Sequence, residues 1–477
     1  MKALATVASG RVLQLLAAYL TLKLSTSLMT PEQLGQFNQM LAFATLLATG
    51  IVVPLVVYFA RGIVGWVESR QFRRKLRMVM AAIAAATFVL VPAGGVVQHS
   101  LQLVYGVGSG WFLLLLTVYV FGFPSYTLML NCCSILGQRV RSAAYANVAA
   151  WGGLAMAVVL FGAGGTPWHW ALGLFCGYLL SAQSLWIIAP DAGWRAAETP
   201  ATPLSLRPRA VWSFVWPQVV IFSLWWTQSQ SYRFVLADVS SVAAVGLFFA
   251  AYSLVSVPLQ TFEAAFNELY SPLLYRGFDA GGGAGPVSQW NRYVAAYMPA
   301  VALFGGCLAG CAPHLSRIAL GDAFQPAAAF FVWPAIAEIG RALSSVNHTL
   351  GVAKVDMRHA IVPAVVGAIA GPLLVAEWGP GDPLAGTGAA LCAASLLVLA
   401  TVYVVTRRTA GVRWPWSRLL SGVAGGGAVW LAGLWLDSVM PGTAWAAAGA
   451  CLLLVGVTSL VLYVMARPWL RQLRAVR

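Results

Sequence analysis

The chain has 477 residues, 60% of them hydrophobic and only 9% charged, and apolar runs alternate with short charged interruptions from end to end. That composition excludes a soluble globular domain and describes a polytopic membrane protein. A formal net charge of +15 would suit a nucleic-acid binder, but the basic residues sort onto alternate loops, so they report membrane topology and attraction to anionic lipid headgroups, and no nucleic acid is expected.

Lipid cannot satisfy backbone polar groups, and no segment shows the residue alternation of an outer-membrane barrel, so the predicted class is all-α with about 14 transmembrane helices. The opening "MKALATVASGRVLQLLAAYLTLKLSTS" imitates a secretion signal, but no small-residue cleavage site follows and the run continues through Lys23; it reads as the first span. Spans are predicted over roughly 11–29, 37–60, 77–97, 111–131, 143–163, 169–189, 211–230, 242–265, 291–311, 326–347, 359–377, 386–406, 418–437 and 443–465. Loops after even-numbered spans are basic, as with Arg61, Arg70, Arg73, Arg74, Lys75 and Arg77 after the second, whereas the alternate loops hold only Arg233 and Arg317. Basic loops stay inside, so both termini are predicted to be cytoplasmic. Outer loops such as "GTPWHW" and "GPGDPLAG" are short, and even the longest, around "HLSRIALGDAFQ", has no room for a domain.

Residues 190–210, including "DAGWRAAETPATPLSLRPRA", are rich in Pro, Ala and Thr and read as a cytoplasmic linker. It divides a six-helix lobe at 1–189 from a second at 211–406, with a further helix pair and basic tail at 407–477. Gly-x-Phe at the start of the second and eighth spans, in "TPEQLGQFNQM" and "SSVAAVGLFFA", supports a duplicated architecture.

The stretches "LSTSLMTPEQLGQFNQMLAFATLL", "SYRFVLADVSSVAAVGLFFAAYSLVSVPL", "IALGDAFQPAAAFFVWPAI" and "GTGAALCAASLLVLATVYVV" resemble the lipid-linked oligosaccharide (O-antigen and exopolysaccharide) flippases of the multidrug/oligosaccharidyl-lipid/polysaccharide exporter superfamily. The resemblance implies a bacterial inner-membrane protein with two pseudo-symmetric six-helix bundles around a central cavity, plus a trailing helix pair. It implies a cargo of undecaprenyl-pyrophosphate-linked oligosaccharide moved from the inner to the outer leaflet, with a polysaccharide polymerase and chain-length machinery as partners. A multidrug antiporter and a lipid II flippase of the same superfamily are the alternatives, with a membrane glycosyltransferase or polymerase behind them. Family members often carry an acidic residue before the arginine ending the seventh span, where this chain has Tyr232 before Arg233.

Polar residues on three helical faces are the candidate site. In the tenth span Pro334, Glu338, Arg341, Ser345 and His348 recur at spacings of three and four and form one stripe. Either it is a self-satisfied ion pair joining helices, or it is the wall of a water-filled cavity. The eighth span repeats the pattern with Ser253, Ser256, Gln260, Glu263, Asn267 and Tyr270, and the first carries Tyr19, Lys23, Thr26 and Thr30. Lys23 is then a cation inside the first lobe that either contacts substrate or snorkels to the outer mouth. Trp225 and Trp226, beside Gln228 and Gln230, suit stacking on sugars, whereas Trp111, Trp168, Trp170, Trp378 and Trp445 read as an interfacial belt. Arg341 is the predicted phosphate contact, with Glu338 restraining it when no cargo is bound. Gly422 and Gly426 predict close helix packing. No phosphate-binding loop, zinc-protease signature or nucleophile elbow occurs, so the chain reads as a secondary carrier and not an enzyme, with no cofactor and with proton or sodium coupling left open.

Overall fold

The computed structural model describes residues 2–187, 207–279, 286–346, 358–410, 414–440 and 443–475. Every regular element among them is helical: α1 (Lys2–Leu28), α2 (Pro31–Thr45), α3 (Val53–Ala60), α4 (Ile63–Glu68), α5 (Phe72–Leu101), α6 (Ser109–Ile135), α7 (Arg139–Gly164), α8 (Pro167–Ala182), α9 (Pro208–Gln230), α10 (Tyr232–Val239), α11 (Val242–Asp279), α12 (Pro286–Ala319), α13 (Val332–Ser344), α14 (Arg358–Trp378), α15 (Pro383–Ala410), α16 (Trp416–Val439) and α17 (Ala444–Ala475). Among the described residues, ten helical segments are long and apolar enough to cross a membrane, or eleven when the bent pair Asp322–Phe330 and Val332–Ser344 counts as one. The expected fourteen is therefore not reached on those criteria. At the first, sixth and seventh positions stand α1, which carries Arg11, Gln14 and Lys23; α8, only 16 residues long; and α9, whose last turns carry Thr227, Gln228, Ser229 and Gln230.

Local sequence explains the irregularities that matter. Pro54 has no N–H to give, and just before it the Val53 amide reaches back to the Ala48 carbonyl; the helix widens into a π turn over Leu46–Val52. The tenth span, read as one segment over 326–347, bends by 63° at Phe331. Pro334 falls in the first turn of α13, where its missing donor costs nothing, so the break starts a new helix instead of disrupting one. The stretch around "HLSRIALGDAFQ", expected as an outer loop, is the last turns of α12 followed by a 3-10 turn over Asp322–Phe330.

Two compact units emerge, Met1–Thr21 with Glu32–Phe234, and Leu22–Pro31 with Val235–Arg477. In the first, α8 lies between α6 and α7, around a core that includes Phe112, Trp170 and Phe175. Trp168 and Trp170 are therefore buried core residues and not belt residues, while Trp378 and Trp445 are exposed. In this unit Arg233 is buried as well; its Nη1 donates to the Asn38 carbonyl at 3.2 Å and its guanidinium lies 5.7 Å from the Tyr232 ring.

The second unit is organised around α12. Successive contacts of Pro299 with Gly422, Gly306 with Gly426 and Gly310 with Gly433 show α12 and α16 running parallel, so close that a Cβ at Gly306 or Gly426 would meet the facing backbone. This is the close approach that Gly422 and Gly426 predict. At the far end of the seam Arg317 Nη1 pairs with Asp437 Oδ1 at 2.8 Å, and His314 Nε2 lies 3.3 Å from the Gly433 carbonyl, to which it can only donate.

Candidate functional site

The polar stripe of α13 and the polar stripe of α11 meet inside the second unit. Glu338 and Arg341, three residues apart, share a helical face, and Arg341 Nε donates to Glu338 Oε2 at 2.7 Å. Arg341 Nη2 donates to Glu263 Oε2 of α11 at 2.9 Å. The remaining carboxylate oxygens are also held: Tyr252 of α11 donates its hydroxyl to Glu338 Oε1, and Ser345, the residue capping α13, donates to Glu263 Oε1 at 2.5 Å. Among the described residues no hydrogen bond reaches Arg341 Nη1. Side-chain exposure grades outward, from 1% at Glu338 through 12% at Glu263 to 27% at Arg341.

Two carboxylates on one guanidinium leave one negative charge in excess when all three are ionised. At an effective dielectric of about 20, two unit charges about 4 Å apart interact by about 4 kcal/mol, so that excess shapes what the cluster can accept. Around it, α12 is tied to the end of α13. The Tyr297 hydroxyl donates to the Ala342 carbonyl at 3.1 Å and lies 3.3 Å from Ser345 Oγ, and Trp290 Nε1 donates to the Val346 carbonyl at 3.1 Å. Tyr293, stacked on Tyr297, donates to Asn267 Oδ1 at 2.6 Å.

Of the residues that sequence singled out, Glu263, Glu338 and Arg341 are brought together. Gln260 is exposed one turn from Glu263, whereas Ser253 and Ser256 of the same stripe are buried. His348 and linker residues 190–206 lie outside the described residues, as does the side chain of Tyr270. Lys23 belongs with residues 22–31 to the second unit, not to the first lobe. Its ammonium donates to the Leu320 carbonyl at 2.8 Å, just beyond the last turn of α12, where a cation suits the helix dipole and the unpaired carbonyls. Beside it the Gly321 amide donates to Thr26 Oγ1 at 3.0 Å, and a Cβ at Gly321 would strike the Thr26 carbonyl. Trp225 and Trp226 belong to the first unit; Trp226 Nε1 donates to the Ala42 carbonyl at 2.8 Å, and Trp225 lies edge-on to Phe222.

Sequence reasoning passed over Tyr252. It stands eleven residues before Glu263, a separation of close to three helical turns, and that spacing places it on the same face.

No protein-family profile and no curated protein sequence matches the chain. Solved structures do. The lipid II flippase MurJ, in an inward closed conformation, superposes with a TM-score of 0.70 at 10% identity, covering 99% of this chain and 99% of that one. A eukaryotic MATE transporter, AtDTX14, gives 0.56 at 12% identity over 89% of this chain and 97% of its own. The inward-facing form of a multidrug resistance MATE transporter of the MOP superfamily gives 0.53 at 13% identity over 84% and 96%. The chain therefore has the fold that MurJ shares with the MATE transporters of the MOP superfamily.

Proposed function

We propose that this protein is a flippase that takes a polyprenyl-pyrophosphate-linked oligosaccharide from the inner leaflet of a bacterial cytoplasmic membrane and delivers it to the outer leaflet by alternating access. The observation carrying this reading is the reach of the structural likeness: the lipid II flippase covers 99% of the chain, trailing helices α16 and α17 included, whereas the two MATE transporters cover 84% and 89%. Lipid II and an O-antigen or exopolysaccharide unit share the pyrophosphate and the polyprenyl tail and differ in what the pyrophosphate carries. In this reading Arg341 meets the pyrophosphate, both termini are cytoplasmic, and polymerase and chain-length machinery act downstream. An anionic headgroup moving outward runs with an inside-negative potential, at about 2.3 kcal/mol per charge per 100 mV.

A second reading, an antiporter of organic cations, draws support from the excess negative charge of the Glu263–Arg341–Glu338 cluster. Proteoliposomes separate the two. Transbilayer movement of a fluorescent polyprenyl-pyrophosphate oligosaccharide, only partly retained in Arg341→Lys with the protein intact, is the expected result. Uptake of tetraphenylphosphonium, lost in Glu263→Gln, with no movement of the lipid-linked glycan, would establish the antiporter instead.

A further inference from the structure

We propose that Glu263 is an exchangeable internal partner of Arg341, which a phosphate headgroup displaces, so that headgroup binding releases the Glu263 tie between α11 and α13. The inference rests on the headgroup reading above and adds to it the step that links binding to helix movement.

The two carboxylates on Arg341 are not equivalent. Glu338 lies on the same helix as the arginine, is almost wholly buried, and has its second oxygen fixed by Tyr252. Glu263 reaches across from another helix, lies closer to solvent, and has Ser345 as its other anchor. Of the pair, Glu263 is the one that can leave.

The guanidinium shows what would make it leave. A phosphoryl group prefers two parallel N–H donors. With Nε given to Glu338, the pair that remains is Nη1 with Nη2, and Nη2 is the nitrogen that Glu263 holds. An anion seated there shares a nitrogen with a carboxylate and repels it. Departure of Glu263 also removes the excess negative charge, leaving Arg341 balanced by Glu338 and facing the phosphate. Tyr252–Glu338 then remains as the side-chain hydrogen bond from α11 to α13 at the site. Because the phosphate favours the state in which the cross-helix contact is broken, its binding energy is available to shift the helices.

The test uses the full chain in lipid nanodiscs, with farnesyl pyrophosphate as probe and calorimetry as readout. Glu263→Gln should bind the probe at least about tenfold more tightly than wild type. Ser345→Ala, which loosens Glu263 but keeps its charge, should give a smaller gain in the same direction, and Glu338→Gln, which lowers the negative charge but leaves Glu263 on Nη2, should gain less than Glu263→Gln. Monodisperse elution of each variant controls for folding, and Ser345→Ala carries the test should Glu263→Gln fail that control. Spin labels at Thr261 and Ser344, in a background without native cysteines, should move apart when the probe binds to the wild-type sequence and show no such change in Glu263→Gln. Equal or weaker binding by folded Glu263→Gln would overturn the exchange while leaving the headgroup reading standing. Failure of the probe to bind any variant would overturn the headgroup reading, and the exchange with it.

Discussion

Replacing Arg341 with alanine tests the energetics of the cluster most directly. The change removes a cation hydrogen-bonded to two carboxylates, one of them with a side chain 1% exposed. Breaking a buried ion pair by truncating one partner typically costs about 3–5 kcal/mol, because the other charge is stranded. Here two charges are stranded near each other, and their repulsion adds up to about 4 kcal/mol at an effective dielectric of about 20. Tyr252 and Ser345 still donate one hydrogen bond to each carboxylate and offset part of this, at about 1.5–3 kcal/mol per bond to a charged group. A net loss of about 3–5 kcal/mol is a large share of the roughly 5–15 kcal/mol that holds a typical folded domain together. Arg341→Ala is therefore expected to lower membrane abundance and the thermal midpoint of the purified protein, read by fluorescence-detected size exclusion after heating. Adding Glu263→Gln and Glu338→Gln to Arg341→Ala should restore most of the loss, since neutral amides keep the hydroxyl partners without the repulsion. An Arg341→Ala protein as abundant and heat-resistant as wild type would refute the reasoning, and would mean that the carboxylates are not ionised together or that water reaches them freely.

The helix seam gives a second test: Gly306→Val should prevent α12 from meeting α16 and reduce the monodisperse yield, whereas Gly427→Ala, where a Cβ meets nothing within 4 Å, should be silent. Lys23→Met removes a charged donor from the Leu320 carbonyl and should cost about 1–2 kcal/mol in thermal stability, with Lys23→Arg retaining most of it; an unchanged midpoint would argue against the capping role. In a background without native cysteines, Gln260→Cys should react with a hydrophilic thiol reagent and Ser256→Cys should not, because the first position is exposed and the second buried. Alkaline phosphatase fused to the C-terminus should be inactive, and activity would place that end outside the cytoplasm.

The helical class was legible from composition alone, because a bilayer admits few backbone solutions and the apolar runs here are continuous. Helical spacing was enough to align Glu338 with Arg341 and Ser345, and to single out Glu263, since a period of 3.6 acts within one helix. It could not say that Glu263 and Arg341 touch, because partners on α11 and α13 lie 78 residues apart, and only packing brings such positions into register. The same limit applies to Lys23, whose partner is a backbone carbonyl 297 residues away and so carries no side-chain signature. The bend at Phe331 and the burial of Trp168 and Trp170 were likewise decided by tertiary structure. A proline can start a helix or kink one, and a tryptophan near a helix end can face lipid headgroups or a neighbouring helix; which of these occurs depends on what packs against it.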